Sequence, residues 1–270
     1  MPLFNFELAK LEDIAPWGTP PDEHLSWFGL TDGVYYLDVK GSQLFRYSEE
    51  IIKQMREKHP NLRDTPFVDY QVVRLWEDIL DLVADILVPI PDTLFRLVDT
   101  PDSQRNFENS MRTRIDDDSS DKAIELYCTA TDWIGRRKLT SLHLREGPNI
   151  WFFRDQDEIT IRWDNEEKCI DGIQPWAETK GEARYSVTSF MAQVTSFHQR
   201  LIDAMETRVK MLTDDNPIPS IRVDMTALVD EQVDRNKWLA AALSRSPEKI
   251  DQDKILSAIT ELTSSKPNSP

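Results

Sequence analysis

Residues 69–88 constrain the fold more than any other stretch. Val72, Trp76, Ile79, Val83 and Ile86 recur at spacings of three and four, which puts them on one stripe of a helix. Asp69 is placed to cap the start and Pro89 to end it. An apolar stripe that regular has to be covered by other elements. Residues 34–47 are the nearest candidate. Val34–Val39 is β-branched and aromatic, Lys40-Gly41 suits a turn, and Gln43–Tyr47 returns. Ser48, Glu49 and Glu50 then start a helix that runs to about His59 and stops at Pro60. The chain holds eight glycines against sixteen prolines, which argues against many glycine-built hairpins.

Further along, Pro91-Asp92 opens a turn of helix through Phe95 and Val98, and Asp121 to about Lys138 reads as helix with Ile124, Cys128 and Thr131 on one side. Ser141–Leu144, Asn149–Phe153 and Glu158–Trp163 read as strands of a meander, with turns at Gly147-Pro148 and Asp155–Asp157. Residues 186–212 return to helix, with Phe190, Val194, Phe197, Leu201, Met205 and Val209 on one stripe. Two more helices are expected at about 226–244 and 248–262, the second opened by Ser246-Pro247-Glu248. The order predicts an α+β fold in which an antiparallel β-hairpin and a β-meander pack against several α-helices, with a helical C-terminal extension. The expected division is a core over 1–215, the extension over 216–263 and a disordered tail over 264–270.

Charge narrows the partners. The net charge is −16, so a nucleic acid or an anionic membrane surface is not expected as a partner. No apolar run is long enough to span a bilayer, and Met1–Glu7 does not read as a signal peptide. Cys128 and Cys169 read as two ordinary thiols. Together these point to the cytoplasm.

No phosphate-binding, dinucleotide, metalloprotease or nucleophile-elbow motif occurs, and the four histidines are scattered. No catalytic set, metal site or cofactor is therefore assigned. The acids are uneven: residues 76–125 hold thirteen acids against five bases. Asp78, Asp81 and Asp85 follow helical spacing opposite the Trp76/Val83 stripe, which reads either as a solvated helix face or as a docking surface for a basic partner. The run Asp116–Asp121 lacks the spacing and glycine of a calcium loop and reads as a linker that caps the next helix. Arg74 is expected to pair with Glu77 or Asp78. Trp17, Trp27 and Asp32 read either as core under the hairpin or, with Glu77, as a ligand pocket.

The segments Pro16-Trp17-Gly18, Leu25–Gly33, Leu44–Ser48, Val68–Leu80, Val88–Pro91 and Ile161–Asp164, with Trp176, together resemble a bacterial domain-of-unknown-function family, number 5984. The resemblance covers the first 210 residues in patches. Leu139–Leu142 departs from the family pattern, and the helices after Pro219 look like an addition. The family implies no activity and no site residue. In composition, small acidic cytosolic families of this kind are similar to the immunity proteins of bacterial toxin systems.

The sequence thus reads as a non-enzymatic bacterial cytosolic binding protein, a toxin-immunity or defence component that meets a basic protein through an acidic surface. One alternative is an enzyme with a carboxylate site near Asp32, Glu77 and Asp78. The other is a self-associating scaffold, a homodimer with the C-terminal helices as its seam.

Overall fold

The computed structural model describes residues 1–60 and 62–264. The first sheet centres on one long strand. β1 (Phe4–Leu8) and, after the two-residue strand β2 (His24–Leu25), β3 (Gly33–Val39) pair antiparallel, Phe4 opposite Leu37. β4 (Ser42–Leu44) closes the expected hairpin. Its turn residues Lys40 and Gly41 both have positive φ, 53° and 102°, the geometry that matches the twist of a two-residue hairpin. α1 (Glu49–Lys58) starts where Ser48 Oγ accepts the Ile51 N–H at 3.3 Å.

β5 (Val68–Asp69) adds to β3, so Asp69 belongs to a strand and does not cap the helix that follows. That helix is α2 (Val72–Ile86), preceded by Gln71. Its expected stripe is buried, and so are Val73, Leu75, Leu80 and Leu82 on its other sides. α3 (Asp92–Phe95) follows, and then α4 (Pro101–Asp117), which the sequence reading did not anticipate. Thr100 caps it and Pro101 sits in its first turn.

α5 (Asp121–Gly135) is capped by Ser120, but its buried face is the reverse of the expected one. Ala123, Ala130, Trp133 and Ile134 point inward, while Ile124 and Cys128 are exposed. The meander also shifts by one strand. Ser141–Leu144 forms no strand, and Leu142 is 90% exposed. The antiparallel sheet is β6 (Ile150–Arg154), β7 (Glu158–Asp164) and β8 (Lys180–Ser186).

β6 is buried on both faces, and its two-residue period sorts its side chains between two cores. Ile150 and Phe152 join the larger core, built from the first sheet, α2 and the stripe of α6 (Val187–Asp214). Trp151 and Phe153 join a second core with α3, α4 and α5. The six stripe residues expected on α6 are all buried.

The segment after 216 is woven in rather than appended. β9 (Arg222–Val223) pairs parallel with β2. The helix expected at 226–244 is two, α7 (Met225–Arg235) and α8 (Trp238–Ser244), and both lie on the larger core through Leu228, Leu239 and Ala242. α9 (Gln252–Ser264) starts later than expected and places Ile255, Ala258 and Leu262 in the second core. Most of both C-terminal apolar faces is therefore covered within the chain, while Leu243 stays 41% exposed. Of the expected tail over 264–270, Ser264 ends α9 and the rest lies outside the described residues.

Candidate functional site

Because α2 is enclosed on almost every side, its polar side chains must find partners inside the protein. Arg74 and Glu77 lie one turn apart, and Arg74 Nη1 donates to Glu77 Oε2 at 2.9 Å, as the spacing predicts. Glu77 Oε1 accepts a second bond, from Arg235 Nη1 of α7 at 2.8 Å. Arg235 Nε also donates to Glu231 at 2.8 Å.

The Arg235 guanidinium lies 4.4 Å from the Trp27 ring centroid, 4.5 Å from Trp238 and 5.8 Å from Trp76. A planar, weakly hydrated cation suits such a cage, because it can stack on indoles while its edge still donates to carboxylates. The cage is itself braced. Trp76 stacks on Trp238 at 5.5 Å and on His198 at 5.8 Å, and Trp27 Nε1 donates to Gln232 at 2.7 Å. Trp27 is fully buried and Arg235 is 6% exposed.

Asp78 turns to another cluster. It is 7% exposed, and burial pushes its pKa up to about 7 against the attraction of Arg74, with Asp81 and Glu77 raising it further. Nearby, the Tyr35 hydroxyl and His143 Nε2 are 2.6 Å apart, and the Tyr70 ring stacks on His143 at 4.8 Å. Burial, helped by Arg74, pulls His143 down to about 4, and burial holds the Tyr35 phenol well above its ordinary range. The pair is therefore a protonated phenol against a neutral imidazole, and the other ring nitrogen, Nδ1, is buried without a hydrogen-bond partner among the described residues.

The three acids expected to project together do not share an exposed face. Only Asp81 is exposed, and it pairs with Arg245 at 3.4 Å. Asp85 is half-buried beside Arg137, which donates to its backbone carbonyl at 2.9 Å. The correction has a simple cause: α2 carries apolar residues outside its main stripe, so the face opposite that stripe is covered too.

The four residues of the alternative pocket do not converge either. Trp27 and Glu77 meet only through Arg235. Asp32 pairs with Arg63 at 2.9 Å, and Arg63 also holds Asp69. Trp17 is 47% exposed and rests against Gly29, so of the indoles expected in the core under the hairpin it stays outside.

Uncompensated acid collects elsewhere, at the corner between α4 and α5. Asp116, Asp117, Asp121 and Glu125 are exposed, and none has an ion pair among the described residues. Asp118 accepts from the Ser120 backbone N–H at 3.0 Å and shapes the turn. Asp116 and Asp117 end α4, where the helix dipole disfavours negative charge. Among the described residues no group of three or more His, Cys, Asp or Glu is arranged to hold a metal ion.

A family model matches residues 3–258. The chain belongs to the family of unknown function DUF5984. No curated protein and no solved structure matches it. The DUF5984 match runs well past the first 210 residues and takes in α7, α8 and the first half of α9, in keeping with their place in the two cores.

Sequence reasoning found Glu77 and Asp78, and paired Arg74 with one of them, but missed Arg235 and the His143 cluster. For Arg235 a signal existed: Glu231 four residues before and Trp238 three after share its helical face. For His143 there was none, because its partners Tyr35 and Tyr70 are far away in the chain.

Proposed function

We propose that this DUF5984 protein is a non-enzymatic binding protein of the bacterial cytoplasm, a toxin-immunity or defence component that docks a basic protein partner. One observation carries the reading. Two of the acids that could have served catalysis are neutralised internally, Glu77 by Arg74 and Arg235 and Asp32 by Arg63, while the acids of the α4–α5 corner are exposed and have no ion pair among the described residues. The docking surface is thus reassigned from Asp78, Asp81 and Asp85 to Asp116, Asp117, Asp121 and Glu125. A basic partner would relieve the repulsion among them and against the end of α4. That no helix among the described residues is long and apolar enough to cross a membrane is compatible with this setting.

The test is the association rate with the protein encoded beside this chain's gene, at low and at high salt. Exposed charges are screened over about 8 Å at physiological ionic strength, so the rate should fall as salt rises. Reversing Asp116, Asp117 and Asp121 to Lys should slow association and leave the melting temperature in place. Equal rates in both salts and for both proteins would remove the proposal.

A second reading keeps one observation in its favour. Asp78, with a pKa near 7, lies in the same part of the protein as the Tyr35–His143 pair, and such groups can perform acid–base chemistry. Asp78 and Tyr35 are buried and His143 is half-buried, which favours the binding role.

A further inference from the structure

A cleft of about 530 Å³ opens between α4, α5 and the β6–β7 pair. None of the acids of the α4–α5 corner lines it. Its volume falls in the range of small-molecule sites, about 300–1,000 Å³. Five cations reach it, and they differ in how far they are already committed.

Two are spent within the protein. Arg162 is fully buried and donates to Glu182, to the Val98 and Asp99 carbonyls and to Gln104. Arg105 bridges Asp164 at 2.6 Å and Glu166 at 2.5 Å. The other three are not. Lys168 reaches Glu146 only at 3.6 Å. Arg112 and Lys138 have no carboxylate within 4 Å among the described residues. Lys138 is half-buried, with its ammonium 5.1 Å from the centroid of the Trp151 ring.

An ammonium withdrawn from water without a counter-ion is held at a cost. Burial pulls the Lys138 pKa down, Glu108 draws it up, and Lys168 and Arg112 push it lower. Glu108 is a weak counter-ion. Its Oε1 accepts from Gln104 Nε2 at 2.9 Å, and its own pKa is pushed up by burial. Gln104 is fixed in that orientation, because its carbonyl accepts from Arg162 at 3.1 Å. The remaining unpaired acids, Asp132 and Glu167, are exposed at the rim. The lining thus carries five acids against five cations, but three of the acids, Asp132, Glu146 and Glu167, are exposed, and Glu108 is left as the acid that draws on Lys138.

We propose that this cleft is a binding site for a small, multiply charged oxyanion, held by Lys138, Arg112 and Lys168, with Trp151 and Tyr127 against its less polar part. The site is separate from the acidic corner and does not depend on the docking role. Bound oxyanion would supply the counter-ion that Lys138 lacks and offset the repulsion among the three cations.

Calorimetric titration of the whole chain with inorganic pyrophosphate and with citrate, at matched ionic strength, tests this. The expected result is saturable binding of at least one of the two, and their ratio says whether phosphate or carboxylate is preferred. Lys138→Met and Arg112→Gln should each weaken that binding at least tenfold. Arg112 is exposed, so its variant keeps the fold, and Lys138→Met should melt no lower than the parent in anion-free buffer because a buried unpaired charge is gone. No saturable heat with either anion, or equal affinity in parent and both variants, overturns the proposal.

Discussion

Arg235→Ala would remove a guanidinium that is 6% exposed, touches three indoles and holds two carboxylates. Breaking a buried ion pair from one side typically costs about 3–5 kcal/mol, because the other charge is stranded. Here Glu77 keeps Arg74 at 2.9 Å, and Glu231 is open enough to rehydrate, so the charge part falls below that range, at about 2 kcal/mol. A desolvated cation on tryptophan adds about 2 kcal/mol. The expected loss is about 4 kcal/mol, or about 10 °C in melting temperature for a chain of this size. Urea unfolding of parent and variant measures it. Arg235→Lys keeps the charge but loses the planar stack and the two-sided donation, and should lose about half as much. Hydrogen exchange should quicken most in α7 and α8, which Arg235 ties to α2. A loss under about 1 kcal/mol for Arg235→Ala, or a Lys variant as stable as the parent, would show that the cage does not stabilise the fold through this side chain.

The two indoles of the distinctive N-terminal segment should separate in the same assay. Trp27→Ala should cost about 3–5 kcal/mol, whereas Trp17→Ala, at a half-exposed position, should cost about 1 kcal/mol; equal losses would contradict the burial difference. Two groups give opposite pH signatures. Asp78 has a raised folded pKa, so the folded state binds more protons between about 4 and 7, and Asp78 withdraws stability as pH rises through that window, by up to about 4 kcal/mol. His143 has a lowered folded pKa, so the unfolded state binds more protons between about 4 and 6.5, and His143 returns stability over that range as pH rises. Asp78→Asn should therefore gain on the parent as pH is raised from 4 to 7, and His143→Gln should lose on it up to 6.5; parallel stability curves for parent and variants would refute both assignments.

The parts of the fold that follow from local pattern were legible. The 34–44 hairpin, α1 with its Ser48 cap and the six-residue stripe of α6 rest on spacing, turn chemistry and capping within a few residues. The errors arose where tertiary burial overrode local signal. Ile124, Cys128 and Thr131 are spaced as a helix face, but Ala130, Trp133 and Ile134 offered the tighter fit to α4 and α9. α4 was missed because its sequence is polar and its buried positions are few, Gln104, Phe107 and Met111. Lys180–Ser186 was missed as a strand because it is an edge strand with no fully buried residue, defined by pairing with β7. The candidate site was half legible: Glu77 and Arg74 share a turn, but Arg235, His143 and the cleft cations come from distant segments.

What unites these cases is the position of α2. A helix buried on almost every side leaves Glu77 and Asp78 little access to water, so each recruits a partner from elsewhere in the chain, while Arg74 pairs with Glu77 on the helix itself. Glu77 recruits Arg235 from α7, and the Trp27–Trp76–Trp238 cage forms around that cation. Asp78 recruits Thr140, which leads into the irregular 139–148 segment that also carries His143 to Tyr35. This accounts for two departures from the sequence pattern at once. Residues 141–144 follow Thr140 and carry His143 to Tyr35 and Tyr70 in place of forming a sheet strand, and the segment after 216 supplies a counter-ion to the half-buried Glu77. The polar residues of one apolar helix thus explain why the chain's C-terminal third is bound into its N-terminal core.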